Sequence, residues 1–351
     1  MKNIIKTLFV MLTSSSLLFA SANAGELSVS GTAKATYNIQ SGDVAGKGLG
    51  ITNELNFTAS GETDAGYAWT YSMELDPADT AAGGSALNDD TAITMSTPYG
   101  TVGVFILEGA LDVEDAASQS VYSRPTDSGD PSATTDNFTI DSYNNVQYHT
   151  PADMLPFGMT AKIAYAPDLD TANGSGNNAG AAITEGGAAF AGRSATEYQV
   201  KATPIDGLNV GASYMEFKKA GATKKDQAPE SGAYFATYAM GNATIGYSKG
   251  LRANLVADSA NTGADYYDQT NMSVSLAVND DLSLSYEEER SEANQNVDST
   301  ADVEQKSTGI QAAYNMGGMT LALSFNSHKN IGYSSTAVDV DQMLMAVTLA
   351  F

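Results

Sequence analysis

Residues 27–37 read Leu-Ser-Val-Ser-Gly-Thr-Ala-Lys-Ala-Thr-Tyr. Leu27, Val29, Gly31, Ala33, Ala35 and Tyr37 alternate with Ser28, Ser30, Thr32, Lys34 and Thr36. Successive side chains of a strand leave opposite faces, so this stretch is a strand with one apolar and one polar face. The same period of two returns down the chain. Leu55, Phe57 and Ala59 alternate with Glu54, Asn56, Thr58 and Ser60, and Tyr67, Trp69, Tyr71, Met73 and Leu75 alternate with Ala68, Thr70, Ser72 and Glu74. Ile163 and Tyr165, Tyr198 and Val200, Met272 to Val278, Leu282 to Tyr286 and Leu321 to Phe325 repeat the pattern.

A soluble sandwich shows such alternation too, with its polar face outward. Three features argue for a membrane-spanning barrel instead. There are about sixteen such stretches, an even number expected of outer-membrane barrels. Their connections alternate strictly. Short ones, built from Gly, Pro, Asn and Asp, fall near 61–66, 97–100, 150–158, 203–207, 240–242, 279–281 and 315–318. Long polar ones fall near 40–48, 77–90, 108–142, 167–195, 217–231, 251–268, 290–304 and 327–337. Finally, Phe351 ends an apolar face with Leu349, Val347 and Met345. The expected fold is all-β: a transmembrane antiparallel up-and-down β-barrel with long outer loops and short periplasmic turns. Tyr37, Tyr67, Tyr71, Tyr148, Tyr214, Tyr238, Tyr247, Tyr286 and Tyr314 fall near strand ends, where an aromatic girdle would meet the membrane surface.

The first 24 residues carry Lys2 and Lys6, an uncharged apolar core and Ala22-Asn23-Ala24. This is the pattern of a cleaved secretory signal, so residues 25–351 are expected to form the barrel. Removing the two lysines leaves 15 basic against 41 acidic residues, a formal charge of −26. That charge argues against a nucleic-acid partner. With no cysteine in the chain, disulfides, thiolate chemistry and cysteine-zinc sites are excluded.

Several stretches resemble the Gram-negative general porin family in its alphaproteobacterial-type branch. They are ELSVSGTAKATYN from Glu26, GLGITNELNFTASGE from Gly48, YGTVGVFILEGALD from Tyr99, SYNNVQYHTPADMLPFGMTAKIAYAP from Ser142, and the terminal LMAVTLAF. The resemblance implies an outer-membrane protein of a Gram-negative bacterium, exported through the periplasm. It would form a homotrimer of sixteen-stranded barrels and pass small hydrophilic solutes and ions by passive diffusion. It also implies that loop 108–142 folds into the pore as a constriction, and that the terminal Phe351 serves as an assembly signal. Barrel-assembly machinery, outer-membrane lipid and lipopolysaccharide are the implied partners. A solute-specific channel and a closed barrel serving as adhesin or envelope structural protein stay open as alternatives.

Loop 108–142 holds Glu108, Asp112, Glu114, Asp115, Asp127, Asp130, Asp136 and Asp141, with Arg124 as its one strong base. Glu108, Asp112, Glu114 and Asp115 are the candidate constriction acids, since carboxylates in a narrow aqueous passage favour cations. Lys34, Lys162 and Lys201 sit on polar strand faces and, with Arg124, are the candidate pore-wall bases. Opposed to the acids they would set a transverse field. Alternatively, they balance wall carboxylates Glu54, Glu74, Glu197 and Glu287. Phe105 and Phe235 are candidates to face inward.

No enzyme is expected. The two histidines, His149 and His328, lie at strand ends, and no H-E-x-x-H occurs. No cofactor is expected either, and calcium at the acidic loops would be adventitious. Asp168-Leu169-Asp170 lacks the further ligands of a calcium loop. Gly46-Lys47-Gly48-Leu49-Gly50 does not match the dinucleotide fingerprint.

Overall fold

The computed structural model describes residues 25–42, 45–76, 87–127, 136–167, 169, 184–185, 188–189, 194–218, 227–254, 263–297 and 300–351. The signal segment 1–24, Asp130, Asp168 and Asp170 lie outside the described residues. Sixteen strands close into one antiparallel barrel. In chain order they are Glu26–Gln40, Gly46–Glu62, Ala68–Asp76, Leu87–Thr97, Gly100–Ile106, Asn145–His149, Thr160–Ala166, Ala195–Ile205, Leu208–Phe217, Glu230–Met240, Ala243–Ala253, Ala264–Ala277, Leu282–Gln295, Val303–Asn315, Met319–Lys329 and Val340–Ala350. Each pairs with its chain neighbours, and the first pairs with the last from Thr32↔Ala350 to Gln40↔Gln342. A separate hairpin joins Thr184–Glu185 to Ala188–Ala189.

Phe351 completes the closure. Its N–H donates to the Gly31 carbonyl at 3.1 Å, and its carbonyl accepts from the Gly31 N–H at 2.8 Å. Its side chain stays on the exposed outer face.

The polarity runs inside-out. Along Ala195–Ile205, Tyr198 is 42% exposed and Val200 45%, whereas Glu197 is 1% and Gln199 3%. A soluble sandwich would reverse this, so the exposed apolar face is the one made for lipid. Tyr148, Tyr214, Tyr238, Tyr247, Tyr286 and Tyr314 join it with exposed rings, together with Tyr198 and Tyr234, while Tyr37, Tyr67 and Tyr71 are half-buried. Carboxylates follow some of these rings directly: the Tyr214 hydroxyl donates to Glu230 at 2.5 Å and that of Tyr286 to Glu288 at 3.2 Å. Such an amphipathic ring suits the level where an apolar band gives way to charge.

Two strands run furthest beyond what the alternation suggests. Ala264–Ala277 and Leu282–Gln295 enter segments expected to be loop. Above the apolar band their outer faces carry ion pairs: Lys249–Asp268 at 3.1 Å, Arg290–Glu288 at 2.6 Å and Lys306–Glu288 at 2.7 Å. The hydrogen-bonded ladder continues where apolar periodicity has stopped, which is why the sequence pattern ends early. Gly46–Gly50 opens the second strand, paired with residues 36–40.

Candidate functional site: the loop inside the barrel

After Ile106 the chain turns inward. Leu107 takes the left-handed conformation at φ 55° and Gly109 follows at φ 85°. A Cβ at Gly109 would collide with the Gln147 amide and the Phe105 ring, so glycine is required for the turn. The described residues 107–127 and 136–144 then lie against the inward faces of the wall. An irregular backbone enclosed this way needs hydrogen-bond partners, and the polar strand faces supply them. The N–H groups of Val113, Val121, Tyr122, Thr126 and Ile140 donate to Ser213, Ser285, Gln311, Glu289 and Glu197, at 3.2, 3.0, 3.0, 2.9 and 2.8 Å. In return Gln199 donates to the Leu111 carbonyl at 2.7 Å, Ser273 to that of Ala117 at 2.6 Å and Ser231 to that of Phe138 at 3.1 Å.

Apolar contacts add to this. Leu111, Phe138, Ile140 and Tyr143 of the loop bury against Ala164, Ala166, Ala195, Met215 and Phe217, and Val113 and Ala117 against Ala233 and Phe235. Phe105 and Phe235 face inward, as expected. Phe105 stacks on His149 at 6.1 Å between ring centroids.

The strand Ala243–Ala253 is cut to fit the loop. Its inward residues include Gly246, Ser248 and Gly250, and Arg252, whose guanidinium lies 4.0 Å from the centre of the Phe138 ring and donates to the Asp136 carbonyl at 3.0 Å. Ser248 donates to the Glu114 carbonyl. A Cβ on Gly246 would strike the Ala117 carbonyl, and one on Gly250 would meet the Glu114 carboxylate at 3.1 Å. The expectation of no enzyme overlooked Gly246-Tyr247-Ser248-Lys249-Gly250, which has the spacing of a hydrolase nucleophile motif but lies in a paired strand with its serine buried under the loop. A strained strand-to-helix turn is what that motif needs. Ser307 and His328 are 2.9 Å apart yet fully buried, so this pair has no surface from which to reach a substrate.

The candidate acids divide. Asp112, Glu114 and Asp115 place carboxylate oxygens within 4.8 Å of one another. Glu108 stands at the loop entrance, where its carbonyl accepts from Asn145 at 3.1 Å. Glu114 corrects the expectation of an open constriction acid. It is 7% exposed and turns toward the wall, accepting the Asn137 N–H at 2.8 Å. Burial, then Asp115 and Asp136, hold its carboxyl well above the usual range. Burial and Asp141 also raise Asp112. Asp115 keeps a solvent-facing edge, yet the surrounding protein lifts its pKa to about 7 against the opposing pull of Arg124. Crowded carboxylates cannot all ionise cheaply at neutral pH.

Arg124 is the second correction: it belongs to the loop and not to the wall. It pairs with Asp115, with Asp127 at 2.8 Å and with Glu289 at 3.3 Å. Burial acts against its charge, but these three acids outweigh it and raise its pKa. It therefore clamps the acidic loop to the wall. Glu289, which also accepts from Thr126, is a functional residue the sequence reading missed. It shares an inward face with Glu287 at a spacing of two, and that period was the available signal.

The wall lysines point inward as expected. Lys34 reaches the ring of Tyr122 in the loop at 5.7 Å. Lys201 lies 5.9 Å from the centre of the Phe235 ring. Lys162 sits on the neighbouring strand opposite Gln199. Among the described residues neither Glu197 nor Glu287 pairs with a lysine. Glu197 takes the Ile140 N–H, and Glu287 takes the hydroxyls of Ser118 and Ser120.

A sixteen-stranded barrel, apolar outside, with a polar-anchored loop in its lumen is thus in place, and a family model of Gram-negative porins matches residues 9–323. The chain belongs to the Gram-negative porin family. This porin is an outer-membrane channel for solute diffusion, and its family and fold are those of non-enzymatic channels. Its fold is similar to that of OmpF from Salmonella typhi in complex with daunomycin, at 14% identity and TM-score 0.69, over 93% of this chain and 98% of that one. The anion-selective porin from Comamonas acidovorans is similar at 13% identity and TM-score 0.66, over 93% and 100%. In-vitro folded OmpT from Vibrio cholerae, in trimer form, is similar at 14% identity and TM-score 0.62, over 94% and 100%. No curated protein matches the chain.

Proposed function

We propose that this porin is a cation-preferring pore for small hydrophilic solutes and ions, with loop 108–142 as its constriction. The observation that carries the reading is the crowding of Asp112, Glu114 and Asp115 on a loop held within the lumen. Ions in a narrow passage come within the ~8 Å screening length of the half-buried Asp112 and Asp115 at physiological salt, so their field acts on passing charge, while the buried Glu114 helps to seat the loop. Lys34, Lys162 and Lys201 on the wall supply the counter-field. The Comamonas porin has a similar fold and is anion-selective, so in this reading selectivity comes from side chains and not from the fold. The channel needs no cofactor, and a divalent cation at the three carboxylates would compete with protons there.

The assembly is a homotrimer within the outer membrane, in contact with lipopolysaccharide and delivered by the barrel-assembly machinery. The trimer form of the similar Vibrio protein and the apolar outer face support the oligomer. Planar-bilayer recording tests the channel directly. The reconstituted protein is expected to pass a steady, ohmic current, and a barrel that inserts without current would contradict the reading.

A further inference from the structure

The inward residues of Ala195–Ile205 mark where the loop ends. Glu197 bonds to Ile140 and Gln199 to Leu111, and the next inward side chain, Lys201, has no hydrogen bond to the loop among the described residues. Below it come Thr203 and the short turn at Asp206–Gly207. A cavity of about 420 Å³ opens here, bordered above by Ala116 of the loop and on the wall by Lys201, Thr160, Thr203, Phe235 and Thr237. Lys162, two residues along the strand from the lining residue Thr160, is diagonal to Lys201 in the strand register, and the two like charges repel each other. Neither lysine has a carboxylate partner among the described residues, because the nearby acid Glu197 is taken by the loop. The ring of Phe235 lies under the Lys201 ammonium.

We propose that Lys162, Lys201 and Phe235 form a binding shelf beneath the loop for a small organic anion: a carboxylate carried on a flat apolar body. Two adjacent like charges without a carboxylate partner among the described residues, one of them lining the cavity, favour an anion there, and hydroxyls of Thr160, Thr203 and Thr237 add hydrogen-bonding capacity. The apolar body would lie against Phe235 and Ala116. A cavity of this size is within the range that holds small-molecule ligands. The proposal rests on the channel reading and adds to it. Cations are favoured at the loop, while aromatic carboxylates pause just beneath it.

The test uses the reconstituted full barrel in planar bilayers at constant ionic strength, with benzoate as probe. Benzoate is expected to lower the potassium chloride conductance in a saturable way, and its uncharged methyl ester to have no effect. K201M should weaken the block at least tenfold, K201R should retain it, and F235L should weaken the benzoate block more than that by inorganic phosphate. A block that does not saturate, or that persists unchanged in K201M, overturns the shelf. Equal effects of F235L on benzoate and phosphate overturn its apolar half. A barrel with no chloride-salt conductance at all would instead contradict the channel reading beneath it.

Discussion

Arg124 is where the candidate site is most concentrated. One guanidinium serves Asp115, Asp127 and Glu289, joining loop to wall. Removing the guanidinium leaves the buried Glu289 without its cation, while Asp115 and Asp127 are nearly half exposed and regain water, so the cost falls below the ~3–5 kcal/mol of a fully buried pair. R124M is therefore expected to loosen the loop and give a larger, noisier unit conductance than R124K, which keeps the charge but loses the planar fork. Single-channel recording of both variants checks this. Asp115 supplies a pH dependence. Its pKa is lifted to about 7, so the group is neutral below that pH and an anion above it. Cation preference should rise as pH passes from about 6 to 8, and D115N should flatten that step. A zero-current potential that does not change over this interval in the unaltered protein would remove Asp115 from the passage. The sequence showed Arg124 alone among acids, but not that it would clamp to the wall. A loop's path follows no period, so its partners could not be counted off.

The strands were legible because lipid outside and water inside impose a period of two on each of them. Sixteen stretches, and the sorting of short from long links, followed from that constraint. The extra length of Ala264–Ala277 and Leu282–Gln295 was not legible, since ion pairs replace apolar residues there. The seat for the loop was hidden for a different reason. Gly246, Ser248 and Gly250 look like an ordinary small polar face until the loop is laid on them. G246V should push the Ala117 turn off the wall while leaving the strand ladder intact. The expected result is increased unit conductance with unchanged β-sheet circular dichroism. S273A, which removes one hydrogen bond worth ~1 kcal/mol, should have a smaller effect in the same direction. Unaltered conductance in G246V would mean that the loop does not limit the current.

Over the whole molecule, closure depends on the register between the first strand and the last, ended by the paired hydrogen bonds of Gly31 and Phe351. Deleting Phe351 removes both bonds and an exposed aromatic on the lipid face. The expected outcome is a lower outer-membrane yield with unchanged unit conductance in the barrels that do form, measured by heat-modifiable gel mobility and recording. Normal yield and assembly kinetics would show that the residue is dispensable. Cross-linking in mild detergent should give a trimer, and a monomer under every gentle condition would contradict the oligomer. The central claim is that acids on the loop within the lumen set the ionic preference of the pore. It is tested most directly by the zero-current potential across a bilayer in a potassium chloride gradient at pH 8, where Asp115 is charged. The unaltered porin should show a cation-preferring potential that shrinks as salt rises, and E108Q/D112N/E114Q/D115N together should move it toward anions at normal conductance. A potential that stays in place while that variant conducts normally would contradict the account.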